Sequence, residues 1–302
     1  MAELEKEQSQ QAGEAIAADD FQSLLNQEFK PKSEHAESAV SSAVNTLAEE
    51  ILKRETNIVQ DDAIATINAI IAEIDEKLTS QVNEILHHEE FQKLESAWRG
   101  LHHLVNNTET DEQLKIRVMN ISKNDLGKNI KKFKGTAWDQ SPLFKKIYEE
   151  EFGQLGGEPY GCLIGDYHFN HSPKDVEMLA GIGQIAAAAH APFISAADPT
   201  VMQMDTWQEL TNPRDLTKVF STPDYAPWKS LRKSEDSKYI SLTMPRFLGR
   251  LPYGEKTDPV EEFSFEELTG GGDSSNYCWA NSAYAMGVNI NRAFKEFGWC
   301  SR

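Results

Sequence analysis

Two glycines in the middle of the chain match a pattern that can bind a cofactor. Gly181-Ile-Gly183-Gln-Ile-Ala186 satisfies G-x-G-x-x-A, the dinucleotide-binding fingerprint. That fingerprint requires glycine N–H groups between a strand and the first turn of a helix, where they meet a pyrophosphate. Here the glycines fall well inside a helix that begins at Ser172-Pro173. The pattern therefore favours close packing of a helix against a sheet, and we predict no cofactor.

Cys278 is a second candidate, because Cys278-Trp279 resembles the dipeptide of papain-like proteases. A nucleophilic cysteine needs an imidazole to form its thiolate, and in that family the histidine lies downstream. The last histidine of this chain is His190, so the order is wrong. We predict a small buried thiol instead.

Two histidine pairs, His87-His88 and His102-His103, raise the possibility of a zinc site. Adjacent helical residues point in different directions, and neither pair has the i,i+4 spacing that brings two imidazoles to one face. Helix-end capping is the favoured role. With no nucleotide-binding loop or nucleophile elbow in the sequence either, we predict no catalytic residue, no metal site and no enzymatic activity.

The N-terminal part of the chain has a helical period. Apolar residues recur at three- and four-residue spacing over 36–54, 61–87 and 89–105, which predicts amphipathic helices. In the last of these we expect Trp98, Leu101 and Leu104 to be buried core. The expected cost of Trp98→Ala is then roughly 3–5 kcal/mol.

From residue 113 the pattern changes. Alternation over 113–119 predicts a strand, and Ser141-Pro142 predicts a helix that ends near 156–157. Strand 160–166, a helix from Ser172-Pro173 to about 189 and strand 191–196 form a βαβ unit, which implies parallel strands. A strand over 239–244 and a helix over 280–297 follow. The fold class is α/β (α+β), with an N-terminal helical segment before a mixed domain.

The first residues are polar, and 1–19 predict a disordered tail. Residues 20–29 predict a short amphipathic helix whose apolar face is formed by Phe21, Leu24, Leu25 and Phe29. A helix of this length is marginal alone. Its face requires either a binding partner or docking on its own domain, and the pattern leaves both open.

The charge balance excludes several function classes. Lys and Arg number 30 against 48 Asp and Glu, giving a net charge of −18, of which −16 falls before residue 113. Such an acidic chain disfavours nucleic acid as a partner. A mean hydropathy of −0.54, together with the lack of an apolar run near the ~20 residues needed to cross a bilayer, excludes an integral membrane protein. The polar, acidic start resembles no targeting signal, and three cysteines form no disulfide framework. We expect a soluble, cytoplasmic protein.

Three separated strings carry a family resemblance. Gln81–Leu101 contains Glu-Ile-Leu-His-His-Glu-Glu-Phe-Gln-Lys-Leu-Glu-Ser-Ala-Trp-Arg-Gly-Leu, and His190–Asp198 reads His-Ala-Pro-Phe-Ile-Ser-Ala-Ala-Asp. Ser234–Gly254 ends in the most specific string, Pro-Arg-Phe-Leu-Gly-Arg-Leu-Pro-Tyr-Gly. Together, over about 40–302, they resemble the large contractile-sheath subunit of type VI secretion systems, the TssC/VipB family. The signature residues are Trp98, Arg99, Pro245, Arg246, Phe247, Arg250, Pro252 and Tyr253.

The resemblance implies a structural role. Members of this family pair with a small sheath subunit, and copies of the pair polymerise into a helical sheath around an inner tube of hexameric rings. Contraction propels that tube, and an AAA+ unfoldase disassembles the sheath by gripping a short N-terminal helix. That helix corresponds here to Phe21–Phe29, with Leu24 and Leu25 as the apolar grip.

The sequence patterns and the resemblance together predict three domains. These are 1–35, a flexible tail with the partner-binding helix; 36–112, a helical segment; and 113–302, a mixed α/β sheath domain. Family members continue past residue 302, so we expect this last domain to be incomplete and a sheath not to form from this chain alone.

Two alternatives stay open. The first is a cytoplasmic α/β enzyme that uses the Gly181/Gly183 segment or Cys278. The second concerns Arg246 and Arg250, which flank an aromatic and proline-rich turn. Either a carboxylate of the same chain or a contact with another subunit can use them, and a local salt bridge is favoured.

Overall fold

A computed structural model describes residues 63–211, 216–268 and 274–298. The helices are α1 (Ala63–Leu86), α2 (Glu89–Asn106), α3 (Lys123–Lys132), α4 (Pro142–Phe144, followed by a π-helical turn, Lys145–Glu149), α5 (Pro173–Ala188), α6 (Leu216–Val219), α7 (Ala226–Lys233) and α8 (Ser282–Phe297). The strands are β1 (Leu163–Phe169), β2 (Phe193–Ala197), β3 (Ile240–Thr243), β4 (Phe247–Leu248) and β5 (Trp279–Ala280). Short 3₁₀ helices are Gly135–Gln140, Pro199–Met202, Trp207–Thr211, Pro223–Tyr225, Glu235–Tyr239 and Ser274–Asn276.

Contacts divide the chain into two compact units, Met1–Ile70 and Ile71–Arg302. The sheet lies in the second unit. The predicted helices over 20–29 and 36–54 lie outside the described residues, and the predicted domain boundaries stay predictions.

Helices α1 and α2 confirm the expectation from periodicity. His88 separates them and caps α2, because its Nδ1 accepts a hydrogen bond from the Glu90 N–H at 3.3 Å. Glu89 and Glu90 in the first turn of α2 complement the helix dipole. Asn107 ends the helix as its C-cap. Capping is therefore what one member of the first histidine pair does.

The central sheet has three parallel strands in the order β1-β2-β3. Helix α5 connects β1 to β2, confirming the predicted βαβ unit. Ser172 caps α5 by accepting from the Asp175 N–H at 3.4 Å, and Pro173 occupies the first turn. Strand β1 begins at Leu163 rather than 160, because pairing with the next strand starts where the Leu163 N–H donates to the Pro192 carbonyl at 2.8 Å. The predicted strand over 239–244 and helix over 280–297 are also present, as β3 and α8.

Glycines in α5 allow its close packing. A Cβ at Gly181 would lie 2.3 Å from Ile130 Cγ2 of α3, and one at Gly183 would lie 2.9 Å from Ile240 Cδ1 of β3. Leu179 of α5 and Phe169 of β1 are fully buried in the same core. The packing role of this glycine segment is confirmed.

The strand predicted over 113–119 is wrong. Leu114 and Ile116 are half-buried, but Val118 is 69% exposed and β1 pairs only with β2. Within the described chain the segment has no ladder partner. It is held instead by side chains: Lys115 pairs with Glu158, and Arg117 Nη2 lies 2.7 Å from Glu158 Oε2.

The helix predicted from Ser141-Pro142 begins there but ends early. After Phe144 the backbone widens into the π-helical turn, in which the Glu150 N–H donates to the Lys145 carbonyl at 2.9 Å. Stacked rings accompany the change: the centroids of Phe144 and Tyr148 are 4.9 Å apart, and those of Tyr148 and Phe152 are 5.2 Å apart. The expected end near 156–157 is therefore wrong.

Candidate interaction surface

Helix α1 turns its apolar row outward. Ile71, Ile74, Leu78 and Ile85 are 39–58% exposed. The polar row of the helix makes the inward contacts: Thr79 Oγ1 donates to the Ser264 carbonyl at 3.5 Å, and Asn83 Nδ2 donates to the Glu266 carbonyl at 3.1 Å. Apolar surface left in water costs free energy. This reversed arrangement makes the row a candidate contact surface.

Helix α2 continues the pattern with Phe91, Leu94, Trp98 and Val105, of which Trp98 is 66% exposed and Leu94 is 58% exposed. The expectation that Trp98 is core is therefore wrong. Leu101 is half-buried, and Leu104 is buried as expected. We call the exposed apolar side chains of the two helices the outer apolar rows; they are Ile71, Ile74, Leu78, Ile85, Phe91, Leu94, Trp98 and Val105.

The buried row of α2 explains why Trp98 is outside. Gly100 and Leu104 face α8, where they meet Tyr284 and Val288. A Cβ at Gly100 would lie 2.3 Å from Tyr284 Cδ2, so only glycine lets the ring approach this closely. With that row against α8, Leu94 and Trp98 necessarily point away.

A buried ion cluster anchors α2 to the C-terminal part of the chain. Arg250 Nε lies 2.6 Å from Glu95 Oε1, and Arg250 Nη1 lies 2.6 Å from Glu267 Oε2. Second bonds from Nη2, at 3.2 and 3.0 Å, make both pairs bidentate. The side chains of Arg250, Glu95 and Glu267 are only 6%, 12% and 1% exposed. Such paired, fully hydrogen-bonded charges fix geometry.

The surrounding groups complete this cluster. Arg99 Nη2 donates to the Tyr253 hydroxyl at 3.0 Å, and the Tyr253 N–H donates to Glu267 Oε2 at 2.8 Å. Arg250 also lies over the Tyr253 ring, 4.3 Å from its centroid. Burial by itself raises the pKa of Glu95, but the hydrogen bonds and charge of Arg250, together with Arg99, outweigh it and lower that pKa.

Comparison with known proteins identifies the family to which this chain belongs. Residues 68–302 match the family model described as VipB: EvpB/VC_A0108, tail sheath N-terminal domain. The chain belongs to this tail-sheath family. It is also 68% identical over 305 residues to "Type VI secretion system sheath protein TssC1" of Pseudomonas aeruginosa. That alignment covers all of this chain and 61% of the relative, so the chain spans about three fifths of the curated relative's length. The resemblance predicted from the three strings is confirmed.

The residues predicted as a family signature lie in several different surroundings. Arg99, Arg250 and Tyr253 belong to the ion cluster, with buried Pro252 beside them. Phe247 lies in β4, with its ring centroid 5.2 Å from that of His103. Pro245 follows a cis peptide bond, and Arg246 lies over the Trp279 ring. Trp98 stands apart in the outer apolar rows. The local salt bridge favoured for the two arginines is present at Arg250.

Two acidic residues of the cluster were missed by the sequence reasoning. Glu95 lies four residues before Arg99, a spacing typical of helical ion pairs, and Arg99 Nε is 3.4 Å from Glu95 Oε1. That spacing could have found it. Glu267 lies in an acidic stretch, and no local pattern distinguishes it from Glu266. Only the fold brings it to Arg250.

Phe21, Leu24, Leu25 and Phe29 lie outside the described residues, so their role stays a prediction.

The groups considered for chemistry have structural surroundings. Burial first, and then the charge of Glu95, raises the pKa of Cys278 to about 11, which keeps the thiol protonated. Gly181 and Gly183 serve packing. Within the described ranges no three His, Cys, Asp or Glu side chains are grouped to hold a metal ion. No helix in those ranges is long and apolar enough to cross a membrane.

Proposed function

We propose that this chain is the N-terminal part of a type VI secretion sheath subunit, and that its outer apolar rows bind the small sheath subunit. Copies of the resulting pair polymerise in the bacterial cytoplasm into a contractile sheath around an inner tube of hexameric rings. Contraction of the sheath propels that tube with its effectors. The role is structural rather than enzymatic, and membership of a tail-sheath family supports it.

The observation that carries this proposal is the exposure of the outer apolar rows on two consecutive helices. Eight large apolar side chains on α1 and α2 are each at least 36% exposed, while the polar row of α1 packs inward. A grouping of this kind is typical of protein–protein contacts. Aromatic residues are common anchors of such contacts, and Trp98, the most exposed of these eight side chains, is the anchor we expect.

The ion cluster supports the same interpretation. It holds α2 against the segment that contains Arg250 and Glu267, so Leu94 and Trp98 are presented by a fixed helix rather than a loose one. A preorganised surface loses less conformational entropy on binding than a mobile one.

Co-expression with the small sheath subunit tests the proposal. We expect the two proteins to co-purify, and Leu94→Asp combined with Trp98→Asp to abolish co-purification with little change in melting temperature. The matched control is Val118→Asp combined with Leu155→Asp, which places the same charges at apolar positions that are 69% and 107% exposed elsewhere. Equal retention of the small subunit by both double variants would contradict the proposed surface.

For the N-terminal segment we propose that Phe21, Leu24, Leu25 and Phe29 form the helix that an AAA+ unfoldase grips. Leu24→Asp with Leu25→Asp is expected to abolish unfoldase binding in a pull-down while leaving the melting temperature unchanged. A large drop in melting temperature instead would show that the segment belongs to the folded core.

A further inference from the structure

The two arginines of the third signature string have opposite surroundings. Arg250 is held by two carboxylates, whereas Arg246 makes no ion pair or side-chain hydrogen bond within the described chain. Its guanidinium carbon lies 4.7 Å from the centroid of the Trp279 ring, and the residue is half-buried. Arg246 is therefore a positioned cation with unused hydrogen-bond donors.

Trp279 gives this arginine a fixed support. It pairs with Leu248 in the β4–β5 ribbon, and its Nε1 donates to the Ser274 carbonyl at 2.6 Å. The Trp279 carbonyl accepts a hydrogen bond from Ser96 Oγ of α2, also at 2.6 Å. The backbone of Trp279 is thus held by its own strand and by α2, and its indole is held by the Ser274 carbonyl. An arginine stacked on a fixed ring has its planar fork already oriented, so less conformational entropy is lost when an anion binds.

Electrostatics indicate what Arg246 lacks. Burial lowers its pKa with no carboxylate of the described residues to oppose the effect, whereas at Arg250 the carboxylates of Glu267 and Glu95 outweigh burial and raise the pKa. A partly desolvated guanidinium that has no counter-ion among the described residues carries a free-energy cost that an incoming carboxylate relieves.

We propose that Arg246, supported by Trp279, is an intermolecular anchor that receives a glutamate carboxylate from the α1–α2 region of a second copy of this chain. This inference rests on the proposed function. That region supplies the carboxylates: Glu76 and Glu84 of α1 are exposed and form no ion pair within the described residues. They belong to the part of the chain before residue 113, where the net charge is −16.

The symmetry of such a contact fits a sheath. When Arg246 of one copy pairs with a glutamate of the next copy and the reciprocal pair does not form, the contact is heterologous rather than two-fold. Heterologous contacts that do not close into a ring generate open helical assemblies. Arg246 thus supplies one end of a repeating contact, and the acidic helices supply the other.

Sedimentation velocity over a range of concentrations tests the anchor, both on the chain alone and on its complex with the small subunit. Arg246→Gln keeps the length of the side chain but removes its charge, and Arg246→Lys keeps the charge but removes the planar fork. Arg232→Gln, at an exposed arginine of α7, is the matched control. We expect self-association to weaken by about tenfold in Arg246→Gln, by less in Arg246→Lys and not at all in the control.

Two further measurements fix the partner. Glu76→Lys with Glu84→Lys is expected to weaken self-association as Arg246→Gln does, and added salt is expected to weaken the wild type but not Arg246→Gln. Retention of the small subunit should be unchanged by every Arg246 variant.

The outcomes separate this inference from the proposed function. Equal self-association of wild type and Arg246→Gln overturns the anchor, and so does a wild type that stays monomeric. If Arg246→Gln no longer retains the small subunit, the partner of Arg246 is not a second copy of this chain. The same conclusion follows if Glu76→Lys with Glu84→Lys self-associates as strongly as the wild type. A wild-type chain that never retains the small subunit instead contradicts the proposed function. The effect of Arg246→Gln on self-association can then still be measured on the chain alone.

Discussion

Helices α2 and α5 place their large apolar side chains in opposite environments. Leu179 of α5 is fully buried in the core cluster that also contains residues of the sheet and of α3, whereas Leu94 of α2 is 58% exposed and Trp98 is 66% exposed. Glycines determine the buried row in each helix: Gly181 and Gly183 admit Ile130 and Ile240 to α5, and Gly100 admits Tyr284 to α2. A helical period predicts a helix, but the elements that pack against the helix determine which of its faces is buried.

The largest expected effect concerns the ion cluster that holds α2 in place. Arg250→Ala leaves Glu95 and Glu267 buried without a counter-ion, and we expect a loss of about 3–5 kcal/mol in the free energy of unfolding. Arg232→Ala, at an exposed arginine, should change it by less than about 0.5 kcal/mol. Urea unfolding of both variants measures the difference. Similar midpoints would mean that the cluster does not hold the helix.

A pair of leucine truncations compares the two helices directly. Leu179→Ala creates a cavity in the core and should cost about 3 kcal/mol. Leu94→Ala removes an exposed side chain and should cost less than about 0.5 kcal/mol. The same unfolding measurement applies, and Trp98→Ala should follow Leu94→Ala rather than the core value first expected from its spacing. A cost of several kcal/mol at Leu94 would place the outer apolar rows inside the fold.

Gly100→Ala tests the close approach that turns Trp98 outward. The added methyl overlaps the Tyr284 ring, since its Cβ would lie 2.3 Å from Cδ2. We expect a loss of about 1–2 kcal/mol, because the ring has to move. A gain in stability, which alanine normally brings to a helix interior, would show that α2 and α8 pack less tightly.

The smallest expected effect is on the pH dependence of stability. Folding lowers the pKa of Glu95, whose ordinary value is 4.5. The stabilisation from Glu95 is therefore fully present above that value and is lost as pH falls through the lower, folded pKa. Urea midpoints of wild type and Glu95→Gln, measured from neutral to acidic pH, should converge as the carboxylate is protonated. A difference that stays constant down to low pH would exclude Glu95 as the group responsible.

Local signals in the sequence predicted much of the fold. Ser172-Pro173 marked the start of α5, the glycines inside it indicated close packing, and the period over 61–105 predicted two helices with a break near His88. The family signature also drew attention to Arg250 before any partner was visible.

The rest depends on contacts that no local pattern specifies. Alternation over 113–119 is typical of a strand, but a strand also needs a neighbouring strand with free backbone hydrogen-bonding groups. The backbone of β1 pairs with β2 instead. The two-residue strands β4 and β5 are too short for a period to show. Glu267 reaches Arg250 only because the chain returns to α2. Trp98 was predicted to be buried because it lies in an apolar row of its helix. An apolar row does not show whether the residues that pack against it belong to the same chain or to another.

The ion cluster also has a mechanical consequence. Glu95 and Trp98 lie within one turn of α2, so the ion cluster and the outer apolar rows share the same helix. A force applied at Trp98 would reach Arg250 through the Glu95 ion pair and Trp279 through the Ser96 hydrogen bond. In the proposed sheath, shear between neighbouring subunits would therefore act directly on the residues of the ion cluster and on Trp279.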